Sequence, residues 1–75
     1  MSGWDPSHDR DQRDVAAALT RRHRFWWVMW SPSLRQWVGF HLGPHRVAPL
    51  RHTDPDHLAQ RMRAVDRKLA RHRPA

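Results

Sequence analysis

The sequence predicts a small α+β domain: an N-terminal helix, an antiparallel β-hairpin with a third edge strand, and a C-terminal amphipathic helix packed on the sheet. Three observations carry this. Residues 25–42 hold four of the five tryptophans and both phenylalanines, on either side of the turn cluster Ser31-Pro32-Ser33-Leu34. Downstream, Leu58, Met62, Val65 and Leu69 recur at i, i+4, i+7 and i+11, the period of one helix face. Upstream, Asp5-Pro6 suits a helix start, with Asp as N-cap and Pro where no N–H is needed.

After a flexible 1–6, a helix is expected over 7–23. Asp9–Arg13 and Arg10–Asp14 are i,i+4 pairs, and early Asp with late Arg21, Arg22, His23 and Arg24 matches the macrodipole. Its apolar side (Val15, Ala16, Ala18, Leu19) is small, so an arm that orders on binding is the alternative.

An antiparallel sheet is expected over 25–51. A loop of two or four residues centred on Pro32-Ser33 pairs 30 with 35, 28 with 37, 27 with 38, 26 with 39 and 25 with 40. Arg35 then lies across from Trp30, and Trp26 covers Gly39. One face holds Phe25, Trp27, Met29, Val38, Phe40 and Leu42; the other holds Trp26, Val28, Trp30, Arg35, Trp37 and His41. A sheet with one wet face alternates apolar and polar, whereas this one is apolar on both. The final helix is expected to dock on the Phe25/Trp27/Met29 face, leaving the tryptophan face for the first helix, a second copy or a ligand.

Gly43-Pro44 marks a turn, and Arg46–Leu50 suits a third strand. Pro49 cannot donate to a ladder, which confines that strand to an edge. The last helix is expected over 54–72, opened by Thr53 or Asp54 with Pro55 in the first turn, and 73–75 form a flexible tail. The outline is similar to that of double-stranded RNA-binding domains and of recombinase arm domains. The sequence motifs of both are absent, and fold analogy alone does not give function.

A chain of 75 residues forms one domain with a thin core, and no cysteine is present for a disulfide or a thiolate zinc site. The net charge of +7 is unevenly placed. Residues 21–52 carry Arg21, Arg22, Arg24, Arg35, Arg46 and Arg51 with no acidic residue, while 1–20 are net acidic. Thirteen Arg against one Lys, with no Ile, Asn or Tyr, also looks like the codon bias of a GC-rich genome. No apolar run approaches the ~20 residues of a membrane span and no leader pattern opens the chain, so a cytoplasmic protein is expected.

Aromatic residues interleaved with uncompensated arginine suit a nucleic-acid surface, since cations neutralise phosphate and aromatic faces stack on bases. The expected phosphate contacts are Arg21, Arg22, Arg24, Arg35, Arg46 and Arg51, with Arg63, Arg67, Lys68 and Arg71 on the last helix. Trp26, Trp30 and Trp37 form the expected aromatic face, either for a ligand or for an interface. In so small a chain the competing reading is that these tryptophans are core. His41, His45 and His52 would add phosphate contacts below pH ~6.5. Neither a metal site nor a cofactor is expected, because the histidines follow no zinc-ligand spacing. Nothing resembles a nucleophile–base arrangement or a phosphate loop, so no enzyme is expected.

The function this predicts is a small, basic, nucleic-acid-binding regulatory or accessory protein, with duplex DNA favoured over RNA. Its size and composition suit a phage or mobile element of a GC-rich bacterium. The alternative is an interaction module or inhibitor docking its Trp-rich face on a nucleic-acid-processing complex, since Trp and Arg are also interface hot spots. A homodimer is compatible with either and would bury the second apolar face.

Overall fold

The computed structural model describes residues 6–71. The elements run α1 (Pro6–Arg22), β1 (Trp26–Ser31), β2 (Gln36–His41), β3 (Leu50–His52) and α2 (Pro55–Arg71), an α+β domain as expected. The expected Asp5 cap, the lead through residue 5 and the end of the chain from residue 72 lie outside the described residues. Pro6 is the first residue of α1, the first helical position read for it, one residue ahead of the expected 7–23.

Asp54 caps α2: its Oδ1 accepts the Asp56 N–H at 2.8 Å, and its carbonyl accepts the Leu58 N–H. Pro55 takes the first helical position. Across the sheet, α1 is a packed helix rather than an arm. It lies on β1, while α2 lies on β2 and β3.

The hairpin register departs from expectation by two residues. Trp26 pairs with His41, Trp27 with Phe40, Val28 with Gly39, Met29 with Val38, Trp30 with Trp37 and Ser31 with Gln36. The loop is therefore Pro32–Arg35, and Arg35 takes a left-handed φ of 54°. Two bonds close it: the Ser31 carbonyl accepts the Arg35 N–H at 2.7 Å, and the Ser31 hydroxyl accepts the Leu34 N–H at 3.3 Å. This register also sets the Trp30 and Trp37 rings 4.6 Å apart, a favourable aromatic pair. Arg35, expected opposite Trp30, is an exposed loop residue instead. Because the slip is even, every strand side chain keeps its expected face.

The third strand is a short edge, as expected, but begins at Leu50 rather than Arg46, after the proline that cannot donate. It pairs Leu50 with Gly39, Arg51 with Val38 and His52 with Trp37. The sheet order β1-β2-β3 leaves β1 as the other edge.

Both helices cover the same sheet face, and it is not the face expected for α2. The core joins Trp26, Val28, Trp30 and Trp37 to Ala16 and Leu19 of α1 and to Leu58, Ala59 and Met62 of α2. The Trp26/Trp30/Trp37 face offers a gap fitted to α2. At Gly39 a Cβ would lie 3.2 Å from Met62 Sδ and 3.4 Å from the Trp26 ring, so the missing side chain is what lets them close over the strand. The face left open is that of Trp27, Met29, Val38 and Phe40.

Candidate nucleic-acid interface

Trp26, Trp30 and Trp37 are 0%, 6% and 4% exposed, so they are core rather than a surface for ligand or partner. A buried indole N–H needs an acceptor, and each of the three has one. Trp26 Nε1 donates to Asp66 Oδ1 at 2.9 Å, Trp30 Nε1 to Asp9 Oδ1 at 3.2 Å, and Trp37 Nε1 to the Gln12 carbonyl at 3.0 Å. Sequence reasoning missed Asp9 and Asp66. Their signal was a polar residue placed where a helix meets a tryptophan-rich sheet.

This arrangement shapes the electrostatics. Asp9 and Asp66 are engaged by indoles and Asp54 by a helix cap, and all described acidic residues lie on the helices or in that cap. Residues 23–53, which form the sheet and its connections, carry Arg24, Arg35, Arg46 and Arg51 without one carboxylate.

The structure divides the expected phosphate contacts between two sides. Arg63, Arg67, Lys68 and Arg71 are exposed on α2, away from its Leu58/Met62 stripe, and Arg61, not among the expected contacts, is exposed with them. At the C-terminal end of α1, Arg22 and Arg63 both act on His23. Burial, first, and then the Arg63 and Arg22 charges hold the His23 pKa below its ordinary value, opposed by Asp66. Arg63 of α2 thus lies near the C-terminal end of α1, with Arg22 and Asp66. Arg51, on the same sheet face as Val38, lies on the opposite side of the domain, with Arg35 in the hairpin loop and Arg46 in the link before β3. Arg24 sets its guanidinium 5.4 Å from the Phe25 ring centroid.

The open sheet face exposes Trp27 by 49%, Met29 by 38% and, beyond the strand ends, Leu42 by 61%. Trp27 and Phe40 stack with centroids 5.5 Å apart at 30°. Beside this face, between α1 and the outer edge of β1, runs a groove of about 660 Å³ whose walls include Arg13, Arg21, Trp27, Met29 and Pro32. A second hollow of about 260 Å³ lies between Phe25, His41, His45 and Leu69. Four of the histidines stand in two pairs, His41 with His45 and His52 with His57, the latter stacked at 5.0 Å. His41 Nδ1 accepts the Gly43 N–H and His52 Nδ1 the Asp54 N–H, so one nitrogen of each ring is committed to a turn.

Comparison of the chain with protein-family models, curated proteins and solved structures yields no match. Among the described residues no helix is long and apolar enough to cross a membrane.

Proposed function

We propose that this chain is a small, non-enzymatic nucleic-acid-binding protein that grips duplex DNA through its helix layer. The observation that carries the reading is the solvent side of α2. Past its first turn, where Asp56 is exposed, that side presents His57, Gln60, Arg61, Arg63, Ala64, Arg67, Lys68 and Arg71 and no carboxylate, because Asp66 is drawn inward by Trp26. A helix face that is merely solvated usually mixes signs. An unmixed basic face gains free energy by releasing counterions from a polyanion. This helix has no Trp, Phe or Tyr, which suits contact with a phosphate backbone more than with bases. An accessory role with little sequence preference follows.

A salt titration of duplex binding tests the proposal. Contact with about five phosphates gives a slope near −4.5 of log affinity against log salt. Arg67→Ala or Arg71→Ala should each lower that slope by about 1. Binding that ignores salt and both substitutions would sink the reading. The second reading, a protein-interaction module, can no longer use Trp26, Trp30 and Trp37. The exposed Trp27, Met29 and Leu42 of the other face favour it instead.

A further inference from the structure

We infer that the groove between α1 and the outer edge of β1 holds a single nucleic-acid strand, one unpaired base stacking on Trp27 and the phosphates resting on Arg13 and Arg21. The ligand class rests on the nucleic-acid reading above; the site and the strandedness are new.

Four observations carry it. Trp27 is half exposed, and Phe40 braces its ring from within the sheet, so the indole is oriented before a base arrives. The bases of a duplex are already stacked on one another, so such a platform selects unpaired ones. Arg13 and Arg21 stand two turns apart on α1, about 12 Å at 1.5 Å per residue, and both line the groove. Among the described residues no carboxylate lines it.

The other occupants fit less well. A peptide adding to β1 as a strand needs the outward backbone groups of that edge. At its middle, Val28 N–H is bound by Thr20 Oγ1 at 2.9 Å, with the Val28 carbonyl 3.2 Å from the same hydroxyl. A second copy seated groove to groove about a two-fold axis sets the same arginines against one another, a like-charge contact.

The test uses the full chain, a fluorescein-labelled oligo(dT) strand of about 15 nucleotides and a duplex of equal length, with thermal melting to confirm folding. Trp27→Ala should weaken oligo(dT) binding at least about tenfold and leave duplex affinity unchanged, while Trp27→Phe should retain most of it. Arg13→Ala with Arg21→Ala should weaken the single strand and flatten its salt dependence. Unchanged oligo(dT) affinity in folded Trp27→Ala, with duplex binding intact, overturns the strand site and leaves the duplex function standing. No binding to either nucleic acid removes both. Sedimentation closes the last route: a dimer dissolved by Trp27→Ala would assign the face to a second copy and overturn the inference.

Discussion

At the scale of single residues, the tryptophans do two kinds of work, and hydrogen bonding separates them. Trp26, Trp30 and Trp37 point at the helices and find acceptors; Trp27, one position along from Trp26, points away and stays half exposed. The acceptors are therefore part of the core. Replacing Asp9 with Ala strips the buried Trp30 N–H of that oxygen and should cost about 1–3 kcal/mol, read as a lower urea midpoint. Asp9→Asn keeps an oxygen and should cost clearly less. A cycle with Trp30→Phe should show the two positions coupled, and additive effects would refute the role given to Asp9. Gly39 is the complement, a residue defined by what it lacks. Any larger side chain there meets Met62 and Trp26.

The elements are held by unequal means. α2 docks by an apolar stripe, whereas α1 docks by a mixture of Ala16, Leu19, Asp9 and Thr20. That mixture also protects the sheet. β1 is an edge, and exposed edges invite pairing with other chains. The Trp26 N–H is taken by the His23 carbonyl at 2.9 Å, and the Val28 N–H by Thr20. Thr20→Val preserves shape but leaves Val28 without that partner. It should destabilise by about 1–3 kcal/mol, and light scattering during refolding should rise as the edge opens. An unchanged midpoint in denaturant would show that Thr20 is incidental to the edge.

Across the whole molecule, two layers present different surfaces. The helix layer offers arginines with no exposed aromatic ring among the residues of α2; the sheet layer offers Trp27 and Phe40 with Arg51. His23 lies where the two helices meet at the basic end, between Arg22, Arg63 and Asp66. Its folded pKa is below the unfolded value of 6.5, so the unfolded chain takes up the proton first. Stability is full above that pH and declines as pH falls through it. His23→Gln should flatten the loss seen in melting temperature between pH 7 and pH 5, and an identical pH profile in the variant would contradict this.

The sequence by itself determined the element types, their approximate bounds, the side-chain alternation of each strand and the absence of acid from the sheet segment. These are local properties: capping residues, periods of 3.6 and 2, and composition are all readable within a few positions. Tertiary structure alone decided which of two apolar sheet faces is covered. That choice depended on acceptors remote in sequence, such as Asp66, forty residues from Trp26, and on the space above Gly39. The register slipped because a left-handed Arg35 and the Trp30–Trp37 pair favour a later loop, an outcome of turn geometry and packing together. The candidate site moved with the covered face. Once the helices claimed Trp26, Trp30 and Trp37, Trp27 was left as the exposed indole among the described residues, and only folding could bring it beside Arg13 and Arg21.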